Sequence, residues 1–115
     1  MFVIGIDPHG GSHAAAALDD EEHLRAVLQL SADRQQRQQL SSWAAEFELR
    51  VWAVEGATGT GALLAQQLVA AGETVLDVPP KLAARVRLLD NNHSDRTDSH
   101  DARSAAIVAL RNGRL

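Results

Sequence analysis

The sequence predicts an α/β domain in which helices cover both faces of a mixed five-stranded sheet. Two observations lead to this prediction. The first 30 residues contain three short apolar runs separated by turn residues, a pattern typical of an antiparallel meander of strands. Strand-like and amphipathic helical segments then alternate up to residue 111, as in sheets whose strands are connected by helices. A chain of 115 residues fits one such domain.

The meander is predicted from three runs of strand-forming residues. Residues 2–6 are β-rich and stop at Asp7-Pro8, which is a turn signal. Residues 13–18 end at Asp19-Asp20, and residues 23–30 alternate well enough for a third strand. Short turns between these runs favour antiparallel pairing of neighbours.

The remaining elements are predicted to alternate between helix and strand. Ser31 is the expected N-cap of an amphipathic helix over residues 32–48. Gly72 is expected to close the second helix as its C′ residue. After the first helix we expect a strand over 50–54, a helix over 62–71, a strand over 74–78, and helices over 81–89 and 98–111.

Composition and charge exclude several classes of protein. The chain has no Cys, which excludes a disulfide scaffold and a thiolate metal site and fits a cytoplasmic location. No signal peptide and no apolar stretch long enough to span a membrane is visible. The net charge is −4, yet seven Lys or Arg oppose four Asp in residues 80–115. This asymmetry indicates either a surface that faces phosphates or an ordinary solvated surface.

Four acidic residues stand where the predicted elements would bring them together. Asp7 and Glu55 directly follow predicted strands, and strand ends are the usual place for chemistry in α/β sheets. Asp98 and Asp101 are three residues apart at the start of the last helix and would share one helical face. Each can also be explained structurally, as a turn acid or a complement to the helix dipole. Asp95 lies three residues before Asp98, so spacing alone does not fix the pair.

Convergence of these carboxylates would imply a cation. Four carboxylates in one cleft repel each other and raise their own pKa values unless a cation is bound. Mg²⁺ or Mn²⁺ prefers oxygen ligands, and a pair of such ions supports phosphodiester chemistry. The five His residues offer no tetrahedral zinc set, so structural or surface roles are expected for them. The loop over residues 56–61 lacks the Lys of a P-loop and is interpreted as a strand–helix turn.

Four motifs in order resemble a known family. They are Val3-Ile-Gly-Ile-Asp7-Pro-His9, Ala53-Val-Glu55-Gly-Ala57, Asp77-Val-Pro79-Pro80-Lys81 and Thr97-Asp98-Ser-His-Asp101-Ala102. Together with the order of elements they resemble the ribonuclease-H-like fold, the RuvC-like resolvases within it and, more closely, the N-terminal domain of the DEDD transposases of insertion sequence family 110. Gly10 stands where that family often has Lys, so one basic contact is missing.

The resemblance implies a set of functional residues and partners. Asp7, Glu55, Asp98 and Asp101 would be the acidic tetrad that binds two Mg²⁺ or Mn²⁺ ions and catalyses DNA strand cleavage and exchange. DNA and a guide-type RNA of the parent element would be partners, and the full-length protein would be a homo-oligomer. The second, serine-containing domain of the family would be absent, so full transposition is not expected from residues 1–115 alone. The implied phosphate contacts are Lys81, Arg85, Arg87 and Arg103.

Two other functions are compatible with the sequence. Ile4-Gly-Ile-Asp7 followed by Gly10-Gly11-Ser12 resembles the first phosphate motif of the actin-like and sugar-kinase ATPases. Such enzymes are much longer and need no Asp-x-x-Asp helix at this position. A non-catalytic remnant that binds RNA or dimerises is the third possibility. ATP binding would favour the second function, and failure to bind metal would favour the third.

Overall fold

The computed structural model describes residues 1–89 and 98–112 of the chain, and within these ranges the side chains at 87, 89 and 98–100 are not described. Nine elements follow one another in this part of the chain. They are β1 (Phe2–Pro8), β2 (Ser12–Leu18), β3 (Leu24–Ser31), α1 (Gln36–Ala44), β4 (Arg50–Glu55), α2 (Ala62–Ala70), β5 (Val75–Val78), α3 (Pro80–Leu89) and α4 (Asp98–Asn112).

The sheet has the strand order β3-β2-β1-β4-β5, and its pairing is mixed. β1 pairs antiparallel with β2, and β2 pairs antiparallel with β3, which confirms the predicted meander. β1 and β4, and β4 and β5, are parallel because a helix returns the chain between each pair. The predicted five-stranded mixed sheet is therefore confirmed.

Two hydrophobic layers cover the two faces of the sheet. Because side chains alternate along a strand, Ile4 and Ile6 of β1 face one layer, in which Leu40 of α1 and Leu64 of α2 are buried. Val3 faces the opposite layer, which α4 and Ala83 of α3 complete. Helices thus lie on both faces, as predicted.

α4 lies directly on the backbone of β1. A Cβ atom added to Gly5 would stand 1.9 Å from the carbonyl oxygen of Ala102 and 2.7 Å from the amide nitrogen of Ala106. Only a residue without a side chain permits this approach. Small side chains at Ala14 and Ala16 of β2 are buried beside Ala102 on the same face. This close packing brings the first turns of α4 to the end of β1.

The start of α1 differs from the prediction. Ser31 was expected as the N-cap, but it ends β3, and the helix begins only at Gln36. The reason is a turn centred on Asp33, whose side-chain Oδ1 accepts from the Gln35 amide at 2.9 Å. The Asp33 carbonyl also accepts from the Gln36 amide at 3.1 Å. An acidic side chain that bonds the backbone two residues on favours a turn over helix.

The end of α1 is stabilised by Arg50, the first residue of the following strand. The helix was predicted to reach residue 48 but ends at Ala44. The Nη1 atom of Arg50 donates to the carbonyls of Ala44 and Phe47 at 3.2 and 2.9 Å, which satisfies groups that a longer helix would use. Glu73 holds the same guanidinium through two hydrogen bonds of 3.0 and 2.8 Å and accepts from the Trp52 indole. Burial raises the pKa of Glu73, but these hydrogen bonds outweigh burial and lower it overall.

Candidate metal centre

Two acidic side chains meet at the carboxyl ends of β1 and β4. The strands are parallel neighbours, and the register pairs Ile6 with Val54. Asp7 and Glu55 follow these paired residues directly, so they lie side by side at one edge of the sheet. By the alternation of β1 and β4, both face the layer that contains α4. The two carboxyl groups share a hydrogen bond.

α4 contributes a third carboxylate to the same place. Ligand atoms of Asp7, His9 and Asp101 all lie within 4.8 Å of one another. Asp101 precedes Ala102, the residue whose carbonyl lies over Gly5. The close packing of α4 on Gly5 therefore determines where the Asp101 carboxylate lies. One oxygen each of Asp7, Glu55 and Asp101 is buried from solvent. Three elements remote in sequence therefore build one acidic cluster.

His9 belongs to this cluster, although sequence reasoning gave it a structural or surface role. Its Nε2 lies 2.9 Å from Oδ2 of Asp7. The ring is 44% exposed, whereas the Asp7 side chain is only 10% exposed. The available signal was its position two residues after Asp7, in the turn that ends β1. A histidine there can orient the carboxylate or supply a nitrogen ligand.

Burial and neighbouring charges favour the protonated form of Asp7. Burial, followed by the negative charge of Glu55, raises the pKa of Asp7 from 3.8 to about 7. The His9 ring lowers it, while Asp101 and the hydrogen bond with Glu55 raise it further. The hydrogen bond between two carboxyl groups needs one shared proton, which is the expected response of crowded carboxylates.

The donor set fits a hard divalent cation. Carboxylate oxygens are the ligands that Mg²⁺ and Mn²⁺ prefer, and a cation would offset the burial and the repulsion that raise the pKa of Asp7. His9 adds one neutral nitrogen, which Mn²⁺ tolerates. Buried carboxylate oxygens aimed at one point are costly in the absence of a positive charge. The cluster therefore has the composition of a site for a hard divalent cation.

Comparison with known families settles the class of the chain. Residues 4–115 match the sequence model of a DEDD family described as transposase, of the insertion sequence 110 type. The chain belongs to the DEDD transposases of insertion sequence family 110. The match begins within β1, extends beyond the end of α4 and includes the positions of Asp7, Glu55 and Asp101. No curated protein matches the chain.

Solved structures confirm that the transposase domain has the fold of the RuvC-like resolvases. Thermus thermophilus RuvC in complex with a Holliday junction substrate is 19% identical, with a TM-score of 0.70, over 98% of this chain and 96% of that chain. The fowlpox virus Holliday junction resolvase is 10% identical, with a TM-score of 0.66, over 96% and 99%. The large terminase nuclease of the thermophilic phage G20c is 16% identical, with a TM-score of 0.59, over 80% and 51%.

Not every predicted site residue of the transposase domain can be placed. Asp98 begins α4, but its side chain is outside the described residues, as are Asp95 and the side chain of Arg87. Lys81 and Arg85 lie exposed on α3. Arg103 is half-buried on α4 and acts electrostatically on Glu22.

The glycine-rich loop of the transposase domain is a turn, as interpreted from the sequence. Gly56 has a positive φ of 65°, and its carbonyl accepts from the amides of Gly59 and Gly61. The Ala57 amide donates to the Asp77 side chain at 2.9 Å. These amides are engaged within the protein and are not presented to a phosphate. Across residues 1–89 and 98–112, no helix has the length and apolarity needed to cross a membrane.

Proposed function

We propose that residues 1–115 form the metal-dependent catalytic domain of a DNA transposase, which cleaves and transfers DNA strands of an insertion sequence. The observation that carries the proposal is the convergence of Asp7, Glu55 and Asp101, with the pKa of Asp7 raised to about 7. A group that is both buried and surrounded by like charge, in a cleft at strand ends, is typical of a functional site.

The acidic cluster would hold Mg²⁺ or Mn²⁺, and we propose two ions. Asp7 and Glu55 would lie between or beside the ions, and Asp101 would complete the coordination from α4 together with Asp98. The spacing of Asp98 and Asp101 supports this assignment, because residues three apart share one face of a helix. The bound ions would activate the attacking oxygen and stabilise the leaving oxygen of a phosphodiester.

The protein's own groups have separate tasks in this proposal. A bound cation would favour the ionised form of Asp7, whose pKa is raised to about 7, so metal affinity would depend on pH. His9 contacts Asp7 and would keep that carboxylate oriented toward the ions. The packing of α4 on Gly5 keeps Asp101 in register with the strand ends. The cluster would therefore be positioned before substrate arrives, apart from the exchange of a proton for a cation.

DNA is the proposed substrate. The proteins named RuvC and fowlpox resolvase were solved with Holliday junction DNA, and they share this fold. On this chain the proposed phosphate contacts are Lys81, Arg85, Arg87 and Arg103. Lys81 and Arg85 are exposed, which a phosphate contact requires. By family membership we also propose a structured RNA of the parent element and further copies of the chain as partners.

Titration with Mn²⁺ by calorimetry tests this proposal. The wild type is compared with Asp7→Asn and Asp101→Asn, and Glu48→Gln is the control because it removes one exposed charge outside the cluster. Saturable binding that both Asn variants lose and the control keeps is the expected result. Absence of binding at millimolar Mn²⁺, with no change in Tm, would contradict the proposal.

A further inference from the structure

A second candidate site lies at the same end of β1 as the acidic cluster, on the face of the sheet that α1 and α2 cover. A cavity of about 460 Å³ opens between the end of β1, α1 and α2. Its wall includes His9, His13, Arg34, Gln36, Leu63 and Gln67. The wall combines apolar side chains with a few polar ones, which is the composition of a small-ligand site. His9 is shared with the acidic cluster, so the two sites adjoin at this residue.

Three of the polar side chains are linked in series by hydrogen bonds, and each one donates to the next. His13 Nε2 lies 2.8 Å from Oε1 of Gln36, and Gln36 Nε2 donates to Oε1 of Gln67 at 2.8 Å. An amide oxygen only accepts, so His13 must donate from Nε2. The oxygens of both amides are then used inside the protein. Across residues 1–89 and 98–112, the amide nitrogen of Gln67 has no side-chain partner, and it is left to donate to a ligand.

Burial of His13 and Gln36, the first two members of this hydrogen-bonded series, costs stability. His13 is 6% exposed and Gln36 is 4% exposed. Nδ1 of His13 is buried and accepts no hydrogen bond from the described residues. Apolar residues at these positions would avoid the free-energy cost of burying polar groups. A polar relay in the core is explained if it fixes the orientation of the Gln67 amide in the cavity wall.

Basic side chains continue from the mouth of the cavity. Arg34 and Gln67 line both this cavity and a neighbouring surface depression, which Arg37 also lines. Arg34 and Arg37 are exposed, and neither makes an ion pair within residues 1–89 and 98–112. Guanidinium groups along a groove are typical contacts for the phosphates of a nucleic-acid strand.

We propose that this cavity binds one unstacked nucleobase of the DNA strand whose phosphate lies at the acidic cluster. The inference rests on the proposed function. The Gln67 amide would donate to a ring nitrogen or carbonyl of the base, and Leu63 would contact its face. Arg34 and Arg37 would contact the phosphates that follow. His9 stands between the two sites, where the strand would pass from the cluster into the cavity.

Binding of fluorescent single-stranded DNA, measured by anisotropy, tests the inference. Wild type, Gln67→Leu and the control Gln66→Leu are titrated against an intact strand and a set of strands with one abasic position each. Gln66 is the exposed neighbour on the same helix and does not line the cavity. Ca²⁺ is present as an oxygen-binding cation for the acidic cluster.

One abasic position is expected to weaken wild-type binding by roughly tenfold, the scale of a single base contact. Gln67→Leu should weaken binding of the intact strand by a similar factor and cause no further loss on that abasic strand, because both changes remove the same contact. Gln66→Leu should bind like the wild type. Melting curves of both variants confirm that the fold is kept.

Three results would overturn the base pocket. In the first, Gln67→Leu and Gln66→Leu bind the strand with equal affinity. In the second, Gln67→Leu weakens binding of the intact and the abasic strands by the same factor. In the third, the wild type does not bind at about 100 µM protein, the weak limit of non-specific binding. Dependence on Gln67 seen only with a matched RNA strand would overturn the assignment to DNA. Calorimetry with Mn²⁺ reads the acidic cluster without DNA, so failure of the metal proposal is recognised separately.

Discussion

Replacement of Asp7 by Asn should stabilise the domain in the absence of metal and abolish metal binding. In the folded domain the pKa of Asp7 is raised from 3.8 to about 7. At about 1.4 kcal/mol per pKa unit, the full shift corresponds to about 4 kcal/mol. Burial of the charge is the largest cause of the shift, and repulsion by the coupled carboxylates adds to it. Because the cluster lies at a solvent-facing end of the sheet, we expect about half of this free energy, or about 2 kcal/mol, to be relieved. For a chain of this size that raises Tm by roughly 8 °C at pH 8.

The effect must depend on pH with a definite sign. A folded pKa above the unfolded value means that the native state holds the proton more tightly. The wild type therefore loses stability as pH rises from about 4 to about 7, the interval between the two pKa values. Asn resembles the protonated form at every pH. The variant and the wild type should melt alike near pH 4 and diverge until about pH 7.

Thermal melting followed by circular dichroism between pH 4 and 8, with chelator and then with Mn²⁺, measures this difference. Glu48→Gln is the matched control for the loss of one negative charge. Mn²⁺ should raise Tm of the wild type and leave Asp7→Asn unchanged. The reasoning is refuted if Asp7→Asn melts below the wild type at pH 8 without metal, or if the difference between them does not change with pH.

Further substitutions test three other parts of the structure. Gly5→Ala should lower the free energy of unfolding by roughly 3 kcal/mol or more in denaturant titrations, because the added Cβ meets helix backbone that cannot yield. Gly10→Ala places its Cβ in open space and should leave the free energy of unfolding unchanged. Glu73→Gln should cost about 2–3 kcal/mol at pH 7 in the same titrations, and the loss should shrink in acid, where wild-type Glu73 itself protonates. Lys81→Gln and Arg85→Gln should each weaken DNA binding and reduce its salt dependence by about one counterion, and an unchanged salt slope would exclude them as phosphate contacts.

The parts of the fold that follow from local pattern were predictable from the sequence. Alternating apolar runs and Gly72 marked the strands and the end of α2, because these signals depend on neighbours in the chain. The predicted C-terminal end of α1 was wrong because Arg50, which binds the carbonyls there, comes from another element. Asp33 was a local signal, yet it was read as helix when its side chain favours a turn.

The candidate site was predictable to the same degree. Asp7, Glu55 and Asp101 stand at element ends, and the order of elements implied that those ends meet. His9 was missed because a lone histidine in a turn has no periodicity to reveal it. The chain from His13 through Gln36 to Gln67 joins residues 23 and 31 positions apart, and nothing in local sequence indicates such pairs.

The packing of α4 on Gly5 also determines when the three carboxylates of the cluster can come together during synthesis. β1 and β4 are both synthesised before α4 and bring Asp7 and Glu55 together as soon as they pair. Asp101 arrives only with α4, the last of the described elements to leave the ribosome. Closing a loop of nearly the whole chain is slow compared with pairing neighbouring strands. A nascent chain that has made β4 but not α4 therefore carries only two of the three carboxylates, and Asp101 joins them only when α4 packs on Gly5.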